Sequence, residues 1–159
     1  MRGKPTFRIS KKALSVWRIK GVIATAIFSM VPLILFFIYY RFQLPLFYVW
    51  VSGISVAVYG LWQIVILPKI RWNMWRYEVY GKEIELLRGV FIARHTLIPM
   101  TRVQHVDTEQ GPIYKRYGLT TVTISTAAGV HEIPALSEQV GSRLRDQIAY
   151  LAGTEEDDE

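Results

Sequence analysis

The residues best suited to chemistry in this chain form one short basic and aromatic segment, Tyr114-Lys115-Arg116-Tyr117. Two cations flanked by two aromatic rings are suited to bind a phosphate headgroup or an acidic segment of a partner. A structural role is also open, in which Arg116 binds a carbonyl or a carboxylate and the tyrosines belong to the core. We treat these four residues as a candidate partner- or headgroup-binding site.

The remaining chemical groups predict no catalytic or metal site. The three histidines, His95, His105 and His131, lie on predicted strands without the spacing of a metal motif, so polar positions on sheet faces are the simpler interpretation. His105 and Asp107 point the same way, as a base and its orienting group would, but no nucleophile is spaced to complete a triad. The sequence has no cysteine, no Gly-x-Ser-x-Gly and no phosphate-binding glycine loop. We expect no enzyme activity, no metal and no cofactor.

Two long stretches of the chain carry no charge. Gly21 to Tyr40 has 20 residues and Phe42 to Pro68 has 27, and roughly 20 helical residues span a hydrocarbon core of about 30 Å. The sequence therefore predicts a transmembrane helical hairpin over residues 21–68, with a short connector at Arg41 to Pro45. A cleaved signal peptide and a pair of buried core helices are the alternatives. The first is disfavoured by the length of the apolar run and the second by the shortness of the chain.

Charge is distributed very unevenly along the sequence. Residues 1–77 contain 11 Lys or Arg and no acid, residues 78–153 contain eight charges of each sign, and five acids follow at the end. Ten of the 11 basic residues lie on the terminal side of the spans, and only Arg41 lies between them. Basic residues mark the cytoplasmic side, so both termini are expected to be cytoplasmic. Because the positive excess flanks the spans, we attribute it to attraction by anionic lipids and expect no nucleic-acid partner.

Aromatic and basic residues at the ends of the spans are expected at the membrane interface: Trp17, Arg18, Tyr40, Arg41, Trp62 and Lys69. Trp72 and Trp75 fit either the interface or the core of the following domain. Pro32 is expected to bend the first helix, because it removes a backbone hydrogen bond.

Small residues at a spacing of four predict close contact between the two helices: Gly21, Thr25 and Ser29 in the first span, and Gly53 and Ala57 in the second. Neither span contains Asp, Glu, Lys, Arg or His, which argues against an ion or proton path through this chain alone.

After Trp72 the apolar pattern changes to the alternation of β-strands. Gly81-Lys82 joins the first two strands as a hairpin, and further strands are predicted over residues 91–98, 101–108, 119–126 and 130–133. Apolar residues then recur every four positions in a helix that follows Ser137 and is expected to end at Gly153. The predicted organisation is a basic cytoplasmic or interfacial segment (1–20), the hairpin (21–68), a small β-barrel or sandwich capped by a helix (69–153) and an acidic disordered tail (154–159).

The stretch from Arg102 to Leu136 resembles the core signature of the bacterial pleckstrin-homology-like membrane proteins of the YdbS type. The matching residues are Arg116, Gly118, Leu119, Val122, Ile124, Thr126, Gly129, Ile133 and Pro134. The resemblance implies a pleckstrin-homology-like fold of about seven strands with a C-terminal helix, in the bacterial cytoplasmic membrane. It also implies a companion, a larger YdbT-like membrane protein with several copies of this domain, and a role in envelope defence, including tolerance of membrane-active peptides.

The sequence thus leads to two hypotheses for function. The first is a non-enzymatic integral membrane component of a bacterial inner-membrane complex, pairing with that larger protein in envelope stress or peptide resistance. The alternative is a membrane-anchored module that senses anionic lipid headgroups through Lys115 and Arg116.

Overall fold

The computed structural model describes residues 5–43 and 45–156, with side chains described as far as Gly153. The chain forms two compact units. One is helical and runs from Trp17 to Lys69, and the other contains the residues up to Val16 together with those from Ile70 onward.

The apolar stretches form two helical segments, Ala13–Phe42 and Phe47–Met74, each long and apolar enough to cross a membrane. The first consists of α1 (Ala13–Phe28) and α2 (Met30–Phe42), and the second of α3 (Phe47–Leu61), a π-helical turn (Trp62–Ile66) and α4 (Leu67–Met74). Only 6% of the most apolar window of each segment is buried, whereas the helices of a soluble core would be mostly covered. This exposed apolar surface fits a lipid environment.

The boundaries of the helices differ in detail from those expected. Phe42 ends the first segment and does not begin the second, and Gln43 caps α2 in a left-handed conformation with φ of 54°. The helix is interrupted at Ser29, one turn before Pro32, as expected where proline cannot donate a backbone hydrogen bond.

Small residues bring the two apolar segments into direct contact within the helical unit. A Cβ atom added to Gly60 would lie 2.8 Å from Thr25 Cγ2, and one added to Gly21 would lie 2.8 Å from the carbonyl oxygen of Gln63. Thr25 donates its hydroxyl to the Gly21 carbonyl at 2.8 Å, which satisfies its polar group inside the helix. The predicted contact through Gly21 and Thr25 is therefore confirmed, whereas Gly53 has open space around it.

The second unit contains seven strands in two antiparallel sheets. The first sheet has the order β1-β2-β3-β4 and the second the order β5-β6-β7. The strands are β1 (Phe7–Arg8), β2 (Arg76–Val79), β3 (Glu83–Arg88), β4 (Arg94–Pro99), β5 (Val103–Glu109), β6 (Leu119–Thr126) and β7 (Gly129–Ser137). A 3-10 turn (Met100–Arg102) joins the sheets, α5 (Pro112–Tyr117) lies between β5 and β6, and α6 (Glu138–Glu156) follows β7. The predicted class, a small β-domain of about seven strands with a C-terminal helix, is confirmed.

Alternation along the strands produces the core of this unit. Ile84 and Leu86 of β3, and Val122 and Ile124 of β6, are fully buried, and α6 contributes Ile148. The helix lies so close to the second sheet that a Cβ at Gly141 would overlap the methyl group of Thr120. Trp75 is also buried, which answers the question left open by the sequence in favour of the core.

Several elements differ from the sequence expectation. The segment before residue 20 contains a strand, β1, that pairs with β2, and Trp72 donates its indole N–H to the Ile9 carbonyl at 3.2 Å. The third predicted strand begins later, at Arg94, because Gly89 turns the chain with φ of 145°.

The last strand and the last helix are both longer than expected. β7 continues through Pro134 to Ser137, because Ala135 adopts a left-handed φ of 55° beside a register shift between Thr120 and Val122. α6 runs past Gly153 to Glu156. Residues 157–159 of the predicted acidic tail lie outside the described residues.

Candidate functional site

The predicted binding segment forms a short helix, α5. Pro112 fits the first turn of α5 because its missing N–H would have no partner there. Gly118 ends the helix in the left-handed region, with φ of 61°, and its carbonyl accepts the N–H of Glu138 at 3.2 Å. α5 thus lies in the connection between β5 and β6, and a hydrogen bond from the first residue of α6 holds its C-terminal end.

The helix separates the four candidate residues. Tyr114 is buried with 9% of its surface exposed, Tyr117 is half-buried, and Lys115 and Arg116 are exposed. Tyr114 is therefore a core residue. Within the described part of the chain, neither the Lys115 nor the Arg116 side chain has a hydrogen bond or ion pair, so the structure does not supply the carbonyl or carboxylate that a structural Arg116 would bind. Both cations are available to an external anion.

A third cation lies beside them that the sequence did not predict. Lys12 donates its ammonium group to the Tyr117 carbonyl at 3.3 Å, which brings the basic N-terminal segment to the end of α5. The residues Thr6 to Ile9 alternate polar and apolar in a way that could have indicated a strand, and that strand positions Lys12.

The strand β1 also forms one wall of a groove of about 520 Å³, which we call the β1–α6 groove. Its lining comes from the first sheet and from α6: Phe7, Arg8, Ser10, Tyr77, Val79, Leu136, Ser137, Val140, Arg143, Leu144 and Gln147. Phe7 and Val140 expose 57% and 42% of their surfaces. Burial raises the pKa of the Tyr77 hydroxyl, so this side chain stays neutral in the groove.

Polar contacts hold β1 in place beside the groove. Glu78 accepts hydrogen bonds from the Thr6 N–H at 2.9 Å and from its hydroxyl at 3.1 Å, and the first of these lowers the pKa of the carboxyl. The Arg8 guanidinium lies over the Trp72 ring, 5.3 Å from its centre. No acidic side chain occurs among the described residues that line the groove, so its charged groups are all basic.

The histidines lie on strands, as predicted, and remain apart from one another. His95 contacts the buried carboxylate of Glu85 at 2.8 Å, and His105 contacts Asp107 at 3.1 Å. Ser125 pairs with His105 across the second sheet, which the sequence did not reveal, but no hydrogen bond joins them in the described structure. No group of three metal-ligating side chains forms among the described residues.

The six residues expected at the membrane interface fall in or beside the helical unit. Tyr40 and Arg41 lie at the end of α2, Trp62 begins the π-helical turn and Lys69 lies in α4. Trp17 is buried, with 9% of its surface exposed, whereas Tyr40 exposes 83%. Their depth in a bilayer stays a prediction.

The family model of the bacterial PH domain matches residues 19–152, which include most of the first apolar segment, the whole of the second, the strands β2 to β7 and most of α6. The chain belongs to the bacterial PH domain family. The predicted family is thus confirmed, and the helix-capped pair of sheets is the fold that it implies.

Two related proteins of Bacillus subtilis (strain 168) extend this result. The UPF0699 transmembrane protein YdbS is 45% identical over 161 residues, which cover 99% of each chain. The UPF0699 transmembrane protein YdbT is 25% identical over 119 residues, which cover 66% of this chain but 24% of that protein. No solved structure matches the chain. With its two apolar helices, this chain is a YdbS-type membrane protein that has a larger relative.

Proposed function

We propose that this chain is a non-enzymatic component of a bacterial inner-membrane complex, in which its β-domain binds a larger membrane protein with several bacterial PH domains. The match to YdbT covers only 24% of that protein, which leaves length for further domains of this kind. Domains that share a fold commonly associate through equivalent elements, so a larger relative is the partner that we expect.

The observation that carries this proposal is the β1–α6 groove. It combines exposed apolar side chains with basic ones, and it lies along β1, the edge strand of the first sheet. An edge strand can accept an added strand from a partner, while an adjacent groove takes its side chains. Arg8 and Arg143 favour a partner segment that is apolar and acidic.

In the proposed complex, both termini and the β-domain face the cytoplasm, as the excess of basic residues on the terminal side predicts. The complex acts in envelope stress or in resistance to membrane-active antimicrobial peptides. In this proposal the PH-type fold supplies binding surfaces for the assembly and does not catalyse a reaction.

Purification from native membranes in mild detergent tests the pairing. The tagged chain should recover the larger relative, and Val140→Asp should reduce recovery by about tenfold, because it puts a buried carboxylate into an apolar contact. Tyr150→Asp is the matched control, on the same helix but outside the groove, where the side chain is 72% exposed. Recovery of the chain alone, or equal loss with both variants, would refute the proposal.

The physiological role has its own readout. Cells lacking this protein should be more sensitive to membrane-active peptides, and the chain carrying Tyr150→Asp should restore growth while Val140→Asp should not. Unchanged sensitivity in the deletion strain would refute the role in peptide resistance but not the pairing, which the purification tests.

The exposed cations of α5 favour a second candidate function, the sensing of anionic lipid headgroups. Lys115 and Arg116 are exposed and lie beside Lys12, so three cations are near one another. Native mass spectrometry of the detergent-solubilised full chain would count the anionic lipids that it retains. If Lys115→Ala combined with Arg116→Ala leaves that number unchanged, this function is excluded for α5.

A further inference from the structure

Three arginines line one pocket at the end of the first sheet where a turn joins β3 to β4. Arg88 ends β3, Arg94 begins β4 and Arg71 lies in α4. They line a pocket of about 260 Å³ together with Trp75, Gly89 and Ile92. No acidic side chain occurs among the described residues of this lining. We call it the arginine pocket.

The arrangement has an energetic cost that an anion would remove. Arg88 and Arg94 are direct partners across the antiparallel pair β3–β4. Like charges directly opposite each other destabilise a sheet, and an anion between Arg88 and Arg94 would offset this repulsion. Guanidinium groups bind phosphate through paired hydrogen bonds, so a phosphate that neutralises this cluster is the chemically matched ligand.

The turn beside the pocket presents apolar side chains to the outside. Phe91 and Ile92, at its tip, expose 82% and 76% of their surfaces. Gly89 sets the geometry of the turn, since φ is 145° and a Cβ there would overlap the Ile92 carbonyl. Two adjacent exposed apolar residues flanked by arginines are typical of a segment that enters the headgroup layer of a membrane.

The position of Arg71 in the chain favours a lipid over a soluble anion. Arg71 belongs to the apolar helical segment Phe47–Met74, near its C-terminal end. A charged side chain at the end of a membrane span lies in the headgroup region, where anionic lipids are concentrated. The pocket therefore has one residue that the span itself must keep close to the membrane surface.

We propose that Arg71, Arg88 and Arg94 bind the phosphate of an anionic phospholipid, while Phe91 and Ile92 insert into the same leaflet. This site is separate from Lys115 and Arg116 and does not depend on the proposed pairing with a larger protein. It gives the β-domain a second attachment to the membrane, in addition to the chain connection from the second apolar segment through α4.

Lipid retention by the full chain tests the phosphate site. In native mass spectrometry with phosphatidylglycerol, Arg88→Gln combined with Arg94→Gln should weaken retention about tenfold, because each cation near the surface contributes appreciably to lipid attraction. Lys82→Gln combined with Arg102→Gln removes the same charge from exposed positions outside the pocket and should leave retention close to that of the unaltered chain. Equal weakening by both pairs, or none by the first, would overturn the proposal.

Two further arms separate the source of the phosphate and the role of the turn. Inorganic phosphate should not displace phosphatidylglycerol, and efficient displacement would mean a site for soluble anions. Since the chain has no cysteine, Phe91→Cys allows one fluorescent label at the tip of the turn. In liposomes, brominated lipid should quench this label and aqueous iodide should not, and the reverse result would refute insertion.

Discussion

Protonation of His131 is expected to lower the stability of the folded chain. Burial lowers the pKa of its imidazole below the usual 6.5, and the charge of Arg88 lowers it further. Its Nδ1 atom is buried without a hydrogen-bond partner in the described structure. Above pH 6.5 the ring is neutral in both the folded and the unfolded chain. As the pH falls below this value, the unfolded chain binds the proton first, and the folded state loses stability.

We therefore predict that the unfolding temperature in detergent decreases between pH 7 and pH 5, and that His131→Gln makes this decrease smaller. Tryptophan fluorescence during heating measures it. His105→Gln is the control, because its imidazole is exposed and contacts Asp107. An unchanged pH dependence in His131→Gln would contradict the assignment.

For single residues, the sequence predicts the chemical role of a side chain better than it predicts which side chains lie close together. Lys115 and Arg116 were predicted as a candidate binding pair, with a structural role left open for Arg116, and both side chains are exposed. The burial of Tyr114 could not be distinguished from a role beside the cations, since tyrosine is suited to both. The arginine pocket joins residues 71, 88 and 94, and only the pairing of β3 with β4 brings two of them face to face.

Among the secondary-structure elements, the two apolar helical segments pack closely because Gly60 has no side chain. A Cβ at this position would lie 2.8 Å from Thr25 Cγ2, so a larger side chain must push the helices apart. We predict that Gly60→Leu destabilises the hairpin by about 1 to 3 kcal/mol, the usual cost of overpacking. Gly53→Leu adds the same side chain where nothing lies within 4 Å and should cost far less.

Thermal unfolding and monodispersity in detergent would measure both variants. Leucine has a higher helix propensity than glycine at both positions, so equal loss in the two variants would mean that the loss does not come from the contact of Gly60 with Thr25. The comparison therefore tests the contact between the segments and not the glycine as such.

Long or strongly patterned elements were predictable and short ones were not. β6 begins and ends where its β-branched alternation does, at Leu119 and Thr126. β1 has two residues within a short alternation from Thr6 to Ile9, which is a weak signal, and its pairing with β2 is what makes it a strand. Gly153 did not end α6, since a glycine costs a helix only about 1 kcal/mol and packing or local sequence can outweigh it.

For the molecule as a whole, composition predicts an apolar part followed by a β-rich part. The two compact units follow that division from Trp17 to Lys69. Composition could not show that residues before Val16 belong with the β-domain, because their basic character is equally typical of a membrane flank. Three-dimensional pairing through β1 supplies that information, and it also creates the β1–α6 groove.

The topology of the whole chain gives the last prediction. Ten basic residues on the terminal side of the spans against one between them predict that the connector is outside and the β-domain inside. In the cysteine-free chain, Gln43→Cys and Ala128→Cys each add one exposed thiol, in the connector and in the β6–β7 turn. A membrane-impermeant maleimide on intact cells should label position 43 and should reach position 128 only after permeabilisation. Labelling in denaturant verifies that both thiols react. The opposite pattern would put the arginine pocket and the β1–α6 groove on the outer side, away from any cytoplasmic partner, and would exclude the proposed complex in its present form.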